Sequence, residues 1–216
     1  MATIPEPPKQ VEQKVILHGV SWQTYEQLLS NFVDSHAAHF AYDNGALEIM
    51  VLSFEHENLK HNLALLVELV AGELDIDTEG AGSTTFRRED KAKGFEPDAS
   101  FYFKNAERVR GLKQIDLTID PPPEIVIEIG ITSPSLSKFP IFAALGVAEV
   151  WRYDGARVGI FCLAAGGYVA ANESTALPGV TGAVLNRLLE ASRTMKRTDW
   201  MRLVRQSVSR PSEAGV

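Results

Sequence analysis

The 216-residue sequence predicts a single α/β domain of the α+β kind, a sheet covered by helices, and three observations predict it. The balance of 45% hydrophobic to 23% charged residues is that of a packed soluble chain, and at this length roughly 70% of the unfolded surface can be buried. Segments with apolar residues at helical spacing alternate with β-rich runs bounded by turn dipeptides. The run Ile125-Val126-Ile127-Glu128-Ile129 is β-branched and almost wholly apolar, as a central strand covered on both faces requires. The lone Cys162 can form no internal bridge, which fits a reducing compartment. With no apolar stretch near the start and no run of 18 apolar residues, a cytoplasmic protein without membrane spans is expected.

The elements follow in order. Residues 1–17 are Pro-rich and polar and are expected to be a flexible tail, as are residues 206–216; the domain is expected over 18–205. Ser21 can cap a helix that carries Trp22, Tyr25, Leu28, Leu29 and Phe32 on one face. Asn44-Gly45 sits between two β-rich runs and takes readily the two positive-φ positions of a tight hairpin. Over residues 55–74, Leu59, Leu63, Leu66, Val67, Val70 and Leu74 recur at helical spacing. A charged loop, RREDKAKG, precedes a strand entered at Asp98, where Ala99, Phe101 and Phe103 alternate with more polar neighbours. After the central strand, Pro134 and Pro140 bracket a turn into a short helix ending at Gly146. Three strands separated by Asp154-Gly155 and Gly166-Gly167 then finish the sheet, and one or two helices close the domain.

Charge narrows the function. With 21 basic and 28 acidic residues the net charge is -7, so a protein that neutralises phosphates over a broad basic surface is excluded. Nucleic-acid contact through a divalent cation bridging carboxylates to phosphate is not. Glu128 is the anomaly of the central strand, because an ionised carboxylate on a covered strand costs several kcal/mol, on the order of 3–5, unless something compensates it. If the strand entered at Asp98 is its neighbour, the two acids converge and offer hard oxygens suited to Mg²⁺ or Mn²⁺. A plainer arrangement fits as well: Asp98 caps a turn, and Glu128 pairs with an Arg or Lys.

Other constellations fall away. His56 and His61 stand five positions apart, not four, so they do not share a metal on a helix. Ser135-Leu136-Ser137-Lys138 lacks the companion motifs of a serine acyl-enzyme, and there is no phosphate-cradling glycine loop. Arg87-Arg88, followed by Glu89-Asp90, reads as a solvated charged turn, and Trp151 and Tyr153 as packing residues.

Taken in order, YDNGALEIM, FEHE, GSTTFRRED, EPD, IVIEI and ITSPSLSKFPIFAALGVAEVWRYDG resemble the Uma-type restriction endonuclease family of the PD-(D/E)XK nuclease superfamily, over roughly residues 20–190. The resemblance implies a restriction-endonuclease-like fold, a mixed central sheet flanked by helices with an N-terminal helix and β-hairpin. It implies a Mg²⁺- or Mn²⁺-dependent endonuclease cutting DNA phosphodiesters, with a homodimer as the arrangement that lets two sites address two strands. Asp98 matches the Asp of the family's PD, Glu128 the acid of the second strand, and Glu57 an acid from the first long helix, for which Glu55 and His56 are alternatives. The metal would be held by Asp98, Glu128 and the Ile129 carbonyl. The superfamily's usual lysine position is Gly130 here, and Lys138 stands as a migrated replacement that would orient the attacking water. The competing expectation is a nuclease-fold module that binds nucleic acid or a protein partner without cutting.

Overall fold

A computed structural model of the chain describes residues 13–32, 38–131 and 136–208. The expected tails outside 13–208, and Pro134 and Ser135 of the expected turn, lie outside the described residues. In chain order the elements are β1 (Gln13–Leu17), α1 (Trp22–Asn31), β2 (His39–Asp43), β3 (Ala46–Val51), α2 (Phe54–Glu73), β4 (Glu79–Gly80), β5 (Phe86–Arg88), β6 (Lys93–Phe95), β7 (Ala99–Tyr102), α3 (Ala106–Val109), β8 (Ile125–Ile129), α4 (Phe139–Leu145), β9 (Glu149–Tyr153), β10 (Val158–Ala164), β11 (Gly167–Ala171), α5 (Gly182–Ser192) and α6 (Arg197–Val208). No helix among the described residues is long and apolar enough to cross a membrane.

The expected mixed central sheet is present, and a second, antiparallel sheet joins it. An antiparallel sheet runs β1-β3-β2-β6-β5, and a mixed sheet runs β11-β10-β9-β8-β7-β4 with β8 and β9 its parallel pair. Gln13–Leu17, expected within the tail, is instead an edge strand that pairs along β3 from Gln13↔Val51 to Leu17↔Leu47. Residues 206–208, also expected within a tail, belong to α6, which runs to Val208. The charged segment after Phe86 is a small hairpin and not a loop, with Arg87 and Arg88 on β5. Arg87 binds Glu26 at 2.7 Å and Arg88 binds Asp90, so both guanidinium groups are engaged.

Local chemistry explains most of the elements. Ser21 accepts the Thr24 N–H at the start of α1, and Ser53 accepts the His56 N–H at the start of α2, each satisfying an amide that the first turn leaves orphaned. Asn44 and Gly45 take φ of 47° and 90° in the β2–β3 hairpin. Helix α4 stops at Gly146, whose φ of 84° is the left-handed cap glycine adopts without a Cβ penalty.

Strand β8 is the spine. Its Ile125, Ile127 and Ile129 join Leu59, Leu63, Leu66 and Val70 of α2 and the apolar faces of α5 and α6 in one core. Val126 faces the other way, into a core with Phe142 of α4, Phe95 of β6 and Val150 of β9. Each fully buried leucine here contributes about 1.5–3 kcal/mol, so β8 is held rigidly from both sides. A third cluster seats α1 on β2 and β3 through Tyr25, Tyr42 and Leu47.

Gly94 on β6 is required by that third cluster. A Cβ there would meet the Tyr25 hydroxyl and its ring carbons, and Tyr25 is fixed by stacking on Tyr42 at 4.9 Å. Gly94→Ala is therefore expected to cost about 1–3 kcal/mol through overpacking, read as a lowered urea midpoint. An unchanged midpoint would show that α1 lifts off freely.

Candidate active site

The two sheets meet at a buried charged cluster. In the β7–β8 ladder Ala99 pairs with Ile127, so Asp98 stands opposite Glu128 at the mouth of the pair, and the Asp98 N–H donates to the Ile127 carbonyl at 3.2 Å. Opposed positions on antiparallel strands share a face. Asp98 is 1% exposed and Glu128 8%. Asp98 Oδ2 accepts the Ile129 N–H at 2.6 Å, and Oδ1 accepts from His56 Nε2 at 2.7 Å. The other sheet contributes Glu48 from β3 and His39 from β2, on the face shared with Ala41 and Met50. Glu48 is 1% exposed. His39 Nδ1 lies 3.8 Å from Asp98 Oδ1.

Lys138 completes the cluster from the residue before α4. Its ammonium donates to Glu128 Oε1 at 2.5 Å and stands 3.6 Å from Glu48 Oε1. Glu48 Oε2 accepts the Leu136 N–H at 2.7 Å, so the same carboxylate holds the backbone that delivers the lysine. The structure thus brings Asp98, Glu128 and Lys138 together. It also combines both sequence expectations, since Glu128 has a lysine partner while remaining opposite Asp98.

Glu57 is not brought in. It lies on the outer side of α2, its side chain 48% exposed and paired with Lys60 at 3.3 Å. The inward residue is His56, in step with Leu59, Leu63 and Leu66, because one residue along a helix rotates the side chain by roughly 100°. His61 is exposed while His56 is buried, so the two histidines stay apart. Trp151 and Tyr153 are both core residues. Glu48 and His39 carry no role in the sequence expectations. Glu48 shows the same anomaly that marked Glu128, a carboxylate between apolar neighbours in a strand, and that signal suffices to find it.

Burial alone does not define the site. Glu149 is wholly buried, yet it accepts from Trp151 Nε1 at 2.5 Å and from the Thr175 N–H and hydroxyl at 2.8 and 2.7 Å. Its charge is answered. In the cluster, Glu48 Oε1, Glu128 Oε2 and His39 Nδ1 are buried without a hydrogen-bond partner. Such groups carry a desolvation cost of about 1–3 kcal/mol each and call for a functional explanation.

The electrostatics follow from crowding. Burial pushes the Glu128 carboxyl up to about 7, with Lys138 pulling the other way. Burial also disfavours the Lys138 ammonium, but Glu128, Glu48 and Asp98 outweigh it and raise its pKa. Burial acts upward on Asp98 too, yet the His56 hydrogen bond, the Lys138 charge and the Ile129 N–H hold it below the usual range. His39 is lowered to about 4 by burial, against the pull of Asp98.

For His39 the folded value lies below its ordinary 6.5, so the folded state resists a proton that the unfolded state takes. Its contribution to stability is whole above pH 6.5 and is lost as pH falls through 4. That loss is about 3 kcal/mol. Glu128 acts oppositely, favouring the folded state as pH falls from 7 to 4.5. Comparing wild type with His39→Gln isolates the histidine: between pH 7.5 and 4.5 the variant's urea midpoint should fall less. Equal falls in the two proteins would remove His39 as the acid-sensitive group.

A cleft of about 550 Å³, walled by His39, Phe40, Thr84, Thr85 and Glu96, opens beside the cluster and shares His39 with it. A mixed sheet carrying an Asp and a Glu on adjacent strands, with a lysine held against them and helices on both sides, defines a protein of the restriction-endonuclease-like fold. The chain belongs to the Uma2 family, described as "Putative restriction endonuclease", whose profile matches residues 22–192. No curated protein matches it.

Proposed function

We propose that this protein is a divalent-metal-dependent endonuclease that hydrolyses DNA phosphodiester bonds at the Asp98–Glu128 cluster. The observation that carries this reading is the cluster's charge. Three carboxylates (Glu48, Asp98, Glu128) face one ammonium (Lys138). The acidic groups outnumber the ammonium by two, an excess that grows as charge when Glu128 ionises above about pH 7, and Glu48 Oε1 and Glu128 Oε2 have no hydrogen-bond partner. A hard divalent cation answers that excess. Mg²⁺ or Mn²⁺ fits this donor set, with Asp98, Glu128 and the Ile129 carbonyl as the residues that would hold it. When bound, such an ion supplies Lewis-acid polarisation of a phosphoryl oxygen and acidifies water.

The chain's own residues do the rest. The Ile129 N–H and His56 fix both oxygens of Asp98, so the carboxylate enters the reaction preorganised. Lys138 offers a buried ammonium, the group needed to orient the attacking water and to offset charge gained in the transition state. Glu48 positions Lys138 by holding Leu136. Glu57 has no part in this scheme. Cutting both strands from one such cluster takes two copies or two binding events.

A second reading has its own observation. Among the described residues no three His, Cys, Asp or Glu side chains already converge on a cation, and the Lys138 ammonium stands between Glu128 and Glu48 where a cation would lie. A module that binds nucleic acid without cutting would look the same. Incubation of supercoiled plasmid with wild type, with Mn²⁺ and with chelator, separates the two. Metal-dependent nicking supports the nuclease; binding without nicking favours the module.

A further inference from the structure

We propose that Arg152, with the groove it borders on β9 and β10, is a phosphate-binding subsite that holds the DNA backbone next to the bond being cut. This inference rests on the nuclease reading and adds to it the residue that admits the polyanion.

The placement comes from the parallel ladder, in which Arg152 of β9 is the register partner of Glu128 of β8. Neighbours in register share a sheet face, so the guanidinium rises beside the acidic cluster. It also leans across Gly130: a Cβ built there would stand 4.0 Å from Arg152 Nη2. Phe139, the residue after Lys138, lies beneath it with the ring centroid 5.8 Å from Cζ, a cation–π contact that orients the group without neutralising it.

What separates Arg152 from the other cations near the cluster is its freedom. Lys138 is buried against Glu128, and Arg87 is bound to Glu26. Arg152 is exposed and has no carboxylate within ion-pair distance among the described residues. Beyond it a groove of about 680 Å³ runs past Gly159, Phe161 and Asn186; Arg157 there is paired with Asp154 at 3.9 Å, which leaves Arg152 as the cation free to take a phosphate. A protein of net charge -7 must draw a polyanion to a carboxylate cluster with local cations. A planar guanidinium presenting paired N–H groups matches the non-bridging oxygens of a phosphodiester. The contact reads no bases, so it is sequence-independent.

The test is fluorescence anisotropy with a labelled 20-base-pair duplex over a salt series, in an Asp98→Asn background that cannot cut. Arg152→Ala is compared with Arg202→Ala, which removes the same charge from α6. Arg152→Ala should weaken binding about ten- to a hundredfold on any sequence and flatten the salt slope by about one, while Arg202→Ala does neither. Equal binding by the two variants overturns the subsite, and metal-dependent nicking by wild type would then leave the nuclease reading standing alone. Absence of both binding and nicking in wild type removes both. Because Arg152 is exposed, its replacement leaves the fold intact, and matching thermal melts verify this.

Discussion

Asp98→Asn is expected to abolish the proposed metal-dependent cleavage, with a fall in rate on the order of 10²–10³-fold or more, while the protein stays folded. The carboxylate is wholly buried, and both of its oxygens are already engaged by Ile129 and His56. An amide keeps one acceptor oxygen but loses the charge, so it no longer balances a cation. The NH₂ group also meets one of the two donors head-on, which costs about 1–3 kcal/mol. The readouts are plasmid nicking and the urea midpoint. Nicking at the wild-type rate by a pure Asp98→Asn preparation would show that the chemistry lies elsewhere.

Lys138→Met is expected to have a comparable effect on activity and a larger one on stability. It strips the ammonium from between Glu128 and Glu48, leaving buried carboxylates without their cation, a loss of about 3–5 kcal/mol at neutral pH. The sign with pH is fixed by Glu128, already raised from 4.5 to about 7 with the lysine present. Without it the carboxyl stays protonated to higher pH. Folding Lys138→Met is then tolerated near pH 5, where Glu128 is neutral, and penalised increasingly as pH rises above 7. The double variant Lys138→Met, Glu128→Gln should recover most of the loss, because removing one carboxylate with the ammonium restores the cluster's wild-type charge balance. A Lys138→Met protein as stable as wild type at pH 8 would mean that the ammonium is not the counter-ion.

Much of the fold was legible because local chemistry dictates it. Ser21 caps a helix whose apolar spacing announces it, the long helix α2 shows the same spacing, and Asn44-Gly45 imposes its hairpin. Strand β1 was not legible, since Gln13–Leu17 is a half-exposed edge strand behind a Pro-rich stretch. Its pairing with β3 is a long-range event without a local signature. The division into two sheets was hidden for the same reason: it depends on three-residue strands such as Phe86–Arg88 and Lys93–Phe95, too short for any periodicity.

The site divides along similar lines. Glu128 stood out as an acid in apolar company, Asp98 as the acid that opens the strand before it, and Lys138 came with the family resemblance. Glu57 was displaced by a question of helical phase that the sequence itself contains, because positions 56, 59, 63 and 66 form the buried stripe and 57 falls off it. Glu48 was as conspicuous as Glu128 on the same criterion. Its grip on Leu136 and its approach to Lys138 link residues 88 or more positions apart, and only folding reveals that.

Anomalous diffraction from a crystal soaked in Mn²⁺ tests the cluster most directly. A metal peak should stand between the Asp98 and Glu128 carboxylates, with the Lys138 ammonium moved off Glu128. The contrary result is no peak there at saturating Mn²⁺, with Lys138 still bridging Glu128 and Glu48.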